Sequence, residues 1–177
     1  YGGIVAPRGR LPLEKGFHIQ VGKFDVPFGN DWNYFASKDR ATVTAPLTTD
    51  RIMGGGYNDV GIRAFGNAME FNYVAYILRG VGTGNAFGGR FGFTPLTNPY
   101  ELGKEHPSAL EIGLSALRDQ DENGDLEKIT WAADAEARFG AARLRAEYID
   151  DDSRAGAAAE VRTATTGYHL TAELDVL

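Results

Sequence analysis

The sequence predicts an all-β protein: an antiparallel transmembrane β-barrel, with about eight strands in this chain as part of a larger barrel. Three observations predict it. Apolar and charged residues alternate with period two along most of the chain. Several alternating runs are 9 to 13 residues long. A tilted strand needs ~9–11 residues to cross a bilayer, whereas a soluble strand usually has ~5–6. Glycine makes up 23 of 177 residues, nearly twice its usual ~7%, which suits turns and strands better than helix interiors.

The elements follow in order. Phe17, Ile19 and Val21 alternate with His18 and Gln20, and Phe24, Val26 and Phe28 then fall on even numbers. A strand over 17–28 with a β-bulge at Gly22-Lys23 would absorb that slip. Val60, Ile62 and Ala64 against Asp59 and Arg63 predict 58–66. Met69, Phe71, Tyr73, Ala75 and Ile77 predict 68–78, with Gly66-Asn67 as the hairpin turn between them. Phe91 and Phe93 mark 88–95, and Leu110, Ile112, Leu114 and Ala116 mark 109–118. The cleanest run, 128–139, sorts Ile129, Trp131, Ala133, Ala135, Ala137 and Phe139 from Lys128, Asp134, Glu136 and Arg138. A helix would scatter those charges around its circumference. Ala142 through Tyr148 gives 141–149 after a tight Gly140-Ala141 turn, and Tyr168 through Val176 gives 163–177.

Short turns at Gly66-Asn67 and Gly140-Ala141 fall at one end by parity. The longer links 79–87, 119–127 and 150–162 fall at the other, as in outer-membrane barrels. The link 96–108 is long for the short-turn end. Segment 29–57 is longer still and holds Trp32, Tyr34 and Phe35. It is expected to pack rather than be disordered; either it folds inward and Lys38, Arg40 and Arg51 narrow the pore, or it is an exposed, solvated loop, and Ala41, Val43 and Ala45 could add a short non-spanning strand. The whole of 1–177 reads as one barrel domain or barrel fragment. The start at Tyr1, without Met, reads as a mature form or a fragment.

Composition excludes several classes. With Cys 0, a disulfide scaffold, a Cys-based zinc site and a thiol nucleophile are out. The longest unbroken apolar run, Tyr73–Leu78, is far short of the ~20 residues of a membrane-spanning helix. A net charge of -6 argues against nucleic acid as a partner. Ser-His-Asp spacing, P-loop, GxSxG and HExxH motifs are all missing, and His18, His106 and His169 are dispersed, so no enzyme and no cofactor is expected.

Period two has two physical readings. In a soluble sandwich or lipocalin-like module the apolar face meets protein and the charged face meets water. In a membrane barrel the apolar face meets lipid and the charged face lines the lumen. Long stripes favour the barrel, as do aromatics near strand ends such as Trp131, Tyr148, Tyr168 and Phe71.

Three segments carry a family resemblance. Val21-Gly22-Lys23-Phe24-Asp25-Val26-Pro27-Phe28-Gly29 resembles a "VGxFxxPFG" segment, Asp59-Val60-Gly61-Ile62-Arg63 a "DxGxR" strand, and Gly80 through Pro95 an "NGxG…GRxxxTP" segment. Together, in this order, they resemble the porin O/P family of phosphate-selective outer-membrane porins and their relatives. The resemblance implies a bacterial outer-membrane channel, usually a trimer, of about sixteen strands. This chain has room for about half of them and lacks the family's lysine-rich loop.

Candidate pore-lining cations are Lys23, Lys38, Arg40, Arg51, Arg63, Arg90, Arg138, Arg143 and Arg145. They would draw anionic solutes. Alternatively, the strand arginines pair with Glu111, Asp134, Glu136 and Glu147 and hold the wall. Asp119, Asp121, Asn123 and Asp125 open like a calcium loop, but Thr130 stands where an EF-hand needs Glu, so an acidic hairpin turn is the competing reading. The expected function is passive diffusion of small, anionic solutes through a porin-like channel whose other partners are lipid and further copies of the chain. The alternatives are an anchoring or scaffolding barrel and a soluble binding module.

Overall fold

In the computed structural model, residues 16–29, 58–68, 70–80, 84–95, 109–123, 125–156 and 161–174 are described. They form eight strands: β1 Gly16–Asp25, β2 Asn58–Ala68, β3 Phe71–Leu78, β4 Asn85–Phe93, β5 Ala109–Gln120, β6 Leu126–Phe139, β7 Ala142–Ala155 and β8 Val161–Leu174. Every strand pairs antiparallel with the next, giving one eight-stranded sheet in the order of the chain. No helix occurs among the described residues. β1 and β8 are the two edges and do not pair, so the sheet is open.

Cross-strand partners share a face, and the register carries each face across the whole sheet. One row runs Ile19, Ala64, Ala75, Gly89, Ala116, Trp131. That outer face is apolar yet exposed: Ile19 is 64%, Leu114 57% and Leu170 76% exposed. The opposite, inner face is where the charges are, and there Arg90, Glu111, Asp134 and Glu147 are buried. The charges of the strand middles are thus buried within, beside an apolar cluster, while large apolar side chains are exposed without.

The sheet is strongly curled, and chain reach proves it. Gly29 donates its backbone N–H to Ser115 Oγ on β5 at 3.0 Å and lies against Glu147 of β7. It stands four chain steps beyond the end of β1 at Asp25, a reach of at most ~14 Å. In a flat sheet β7 would stand six strand spacings away, ~29 Å. Only a sheet that brings β7 round to face β1 closes that gap.

Residues 24–28 enter the curl as its apolar filling. Phe24, Val26 and Phe28 are buried with Phe65, Val74, Tyr76, Leu78, Ala86, Leu117, Ala132 and Ile149. Dispersion and the release of water stabilise this inner cluster.

Several expectations need correction. No bulge interrupts β1: its register with β2 is unbroken from Gly16↔Asn67 to Asp25↔Asn58. Phe24 is inward like His18 and Gln20, because the inner face changes from polar to apolar partway along the strand. Gly66 and Asn67 are not a turn. They pair with Phe17 and Gly16 on one side and with Tyr73 and Asn72 on the other. A turn there would forfeit ladder bonds on both flanks; instead Ala68 pairs with Phe71 and two residues link them. The Gly140-Ala141 turn stands as expected, with Gly140 at φ 56°. The links 79–87, 119–127 and 150–162 are shorter than expected, because β4 to β7 run into their polar sequence. Backbone pairing continues there, for instance Asp151↔Thr165 and Ser153↔Thr163, with no need of apolar side chains. The candidate strand at Ala41, Val43 and Ala45, and the link 96–108, lie outside the described residues.

Truncation of inner and outer leucines distinguishes the two faces. Leu78→Ala, at a 2% exposed site, is expected to lose about 2–5 kcal/mol in chemical denaturation. Leu144→Ala, at a 48% exposed site, is expected to lose under about 1 kcal/mol. Equal losses would contradict the assignment of faces.

Candidate functional site

The inner wall gathers the charged side chains that alternation sorts inward. Arg90 on β4 is its centre. Its Nη1 donates to Glu111 Oε1 on β5 at 3.0 Å and to Asn72 Oδ1 on β3 at 3.3 Å; Nη2 donates to Asp134 Oδ1 on β6 at 2.6 Å. Arg90 thus ties four consecutive strands. Its guanidinium fork supplies the two directions that this needs.

Reaching Asp134 requires crossing β5, and Gly113 provides the gap. Gly113 is opposite Gly92 on β4 and Asp134 on β6. A β-carbon there would collide with Arg90 Nη2 and both Asp134 oxygens.

A second group lies across β6, β7 and β8. Arg143 donates Nε–H to Glu136 Oε1 at 2.9 Å, its Nη2 is in ion-pair range of the same oxygen at 2.8 Å, and its Nη1 stands 3.8 Å from Glu173. Arg145 also bonds Glu173. His169 Nδ1 is 3.3 Å from Glu147 Oε2. Toward the loop end, Asp151 accepts from Thr130 Oγ1 at 2.5 Å and Ser153 Oγ at 2.8 Å, with Lys128 Nζ at 3.6 Å. Among residues this buried, an unpaired charge is costly, so pairing is what lets the wall exist.

The predicted cations divide accordingly. Arg63, Arg90, Arg138, Arg143 and Arg145 are on the inner face, and Arg90 and Arg143 are held by the carboxylates named as their alternative partners. Glu147 meets His169. Arg63 donates to Gln20 Oε1 at 2.6 Å and 2.9 Å and stacks over Phe24 and Phe65, its Cζ 4.7 Å and 5.3 Å from their centroids. Lys23 is not pore-lining. The unbroken register places it opposite Val60 on the outer face, where it is exposed. Lys38, Arg40 and Arg51 lie outside the described residues.

The calcium candidates are not brought together. Asp119 is buried on the inner face of β5. Asp121 closes its own hairpin: its Oδ1 accepts from Leu126 N at 3.0 Å, and its N–H donates to Leu126 O at 3.0 Å. Asp125 and Asn123 belong to the exposed link. Among the described residues no three His, Cys, Asp or Glu side chains are grouped as metal ligands. The competing acidic-turn reading describes the geometry.

Sequence reasoning missed Glu173, Asn72 and Ser115 as wall residues. The parity of β8 already set Glu173 opposite the apolar row; its partners Arg143 and Arg145 are legible only from register. It also missed the tightness at Gly29, while the rest of 29–57 lies outside the described residues. Gly29 has φ 66°, and a β-carbon would overlap Glu147 Oε1.

Exposed and half-buried aromatics mark both borders of the outer face. At the loop end Trp131 packs on Tyr148, with centroids 5.1 Å apart, and donates Nε1–H to Asp150 Oδ1 at 3.2 Å. At the other end Phe71 stacks on Phe91 and Phe93 at 5.3 Å and 4.9 Å. Compared with protein-family models, curated proteins and solved structures, the chain finds no significant match.

Two substitutions test this geometry. Arg90→Met leaves Glu111 and Asp134 buried without their guanidinium and is expected to destabilise by about 3–5 kcal/mol in chemical denaturation; a loss below about 1 kcal/mol would mean that the cluster does not hold the wall. Gly29→Ala is expected to cost about 1–3 kcal/mol from φ and overlap together. Adding Glu147→Ala should return the part due to overlap, and a strictly additive double variant would show that Gly29 does not dock there.

Proposed function

We propose that the chain forms the wall of an outer-membrane, porin-like channel for passive diffusion of small solutes. One observation carries the reading: large apolar side chains cover the outer face and stay exposed, while arginines and carboxylates are buried on the inner face. Lipid is the environment in which that arrangement is stable. On β6 the apolar row runs from Ile129 to Phe139, ten steps of ~3.3 Å, or ~33 Å along the strand. A barrel tilt of ~40° turns this into ~25 Å of height, the thickness of an outer-membrane apolar band.

The borders support the same reading. Trp131 turns its ring to the apolar band and its N–H to Asp150, as an interfacial tryptophan does. Outward charges such as Arg118, Asp152 and Arg162 cluster beyond that level, at the loop end. The "VGxFxxPFG", "DxGxR" and "GRxxxTP" resemblances point to a porin O/P-like protein of the bacterial outer membrane, with a trimer as the implied assembly. A second reading, an anchoring or scaffolding barrel, is favoured by the apolar filling around Phe24, Val26 and Phe28, which narrows the inner space.

Planar-bilayer recording separates the two: stepwise ohmic conductance is expected, and a silent, stably inserted protein would favour the scaffold. Ala135→Arg, at the middle of the β6 apolar row, is expected to destabilise the lipid-embedded protein by about 2–4 kcal/mol. A neutral effect would argue that water, not lipid, covers this face.

A further inference from the structure

We infer that the proposed pore prefers small cations to anions of equal size, the opposite sign to the one suggested by its arginines. This rests on the channel reading above. The arginines are conspicuous in the sequence, but register shows what each one faces. Arg90 serves two carboxylates, Glu111 and Asp134. Arg143 and Arg145 together face Glu136 and Glu173. Lys128 faces Asp151.

Over the whole inner face of the described strands the balance is acidic. Six basic side chains, the five arginines already placed there and Lys128, stand against eight carboxylates. Besides Glu111, Asp134, Glu136, Glu173 and Asp151, those eight are Glu147, Asp119 and Asp59. His169 adds a cation only when protonated.

The loop-end rim has the same sign. Among the described residues there, Asp25, Asp121, Glu122, Asp125, Glu127, Asp150 and Asp152 outnumber Lys23, Arg79, Arg118, Arg154 and Arg162, seven to five. Segment 30–57 changes nothing in the sum, since Asp31, Asp39 and Asp50 cancel Lys38, Arg40 and Arg51. A low-dielectric wall focuses such a surplus into the aqueous path, so it enriches cations and depletes anions.

The test is the reversal potential of the reconstituted protein across a KCl gradient, where K+ and Cl− differ in charge rather than size. Potassium is expected to permeate a few-fold better than chloride in 0.1 M salt. The ratio should fall toward one in 1 M salt, as the screening length drops from ~10 Å to ~3 Å. Replacing two carboxylates, Glu147→Gln with Glu173→Gln, evens the count and should bring the ratio near one without the salt change. A ratio of one or below in the unmodified protein at 0.1 M overturns the inference and leaves the channel reading standing. No conductance at all removes both.

Discussion

The structure depends on one constraint: arginines buried deep in a curled sheet must be met by carboxylates. Arg90 is 3% exposed and Glu111 4%. An isolated charge in such surroundings costs several kcal/mol, and breaking a buried pair costs ~3–5 kcal/mol. The sequence meets the constraint by placing acids and bases on alternate residues of neighbouring strands. Antiparallel register then brings them within hydrogen-bonding distance. Glycine at 113 lets one arginine reach across an intervening strand, so the wall is knitted over β3 to β6 rather than pair by pair.

The outer face follows from that arrangement. With the charges turned inward, period two leaves only apolar groups to face outward over the middle of each strand. The aromatic borders and the outward charges beyond Trp131 then divide the face into a band and a rim. The curl also explains why the chain after β1 turns inward. Val26 and Phe28 complete an apolar patch on Leu78, Leu117 and Ile149, and Gly29 fits between Ser115 and Glu147 because it has no side chain.

Much of this was legible from residues alone, and the failures have a common physical origin. All eight strands announce themselves by alternation, and the inward position of Arg90 or Glu136 follows from parity. Alternation of polarity, however, is a statement about what each face touches, and it fails where a face changes character. Phe24 and Val26 looked out of phase because the inner face turns apolar there; the backbone never slipped. Asp150 to Arg154 looked like a loop because they are polar, yet they continue the ladder of β7. Gly66-Asn67 had turn chemistry, but pairing on both flanks overrode it. Lys23 falls on the outer face because the register of β1 runs through it unbroken. Side-chain reach across Gly113, and the docking of Gly29, leave no trace in polarity and needed the fold.

The central claim is that lipid covers the outer face. It is tested most directly by spin labels placed one at a time along 142–149 in protein reconstituted in bilayers, reading collision with oxygen and with a water-soluble nickel chelate. Oxygen accessibility is expected to peak at 144, 146 and 148 with nickel excluded, and to fall at 143, 145 and 147. Nickel access at the even positions, or exclusion of both probes there, would mean that water or a second protein layer covers that face and would contradict the account.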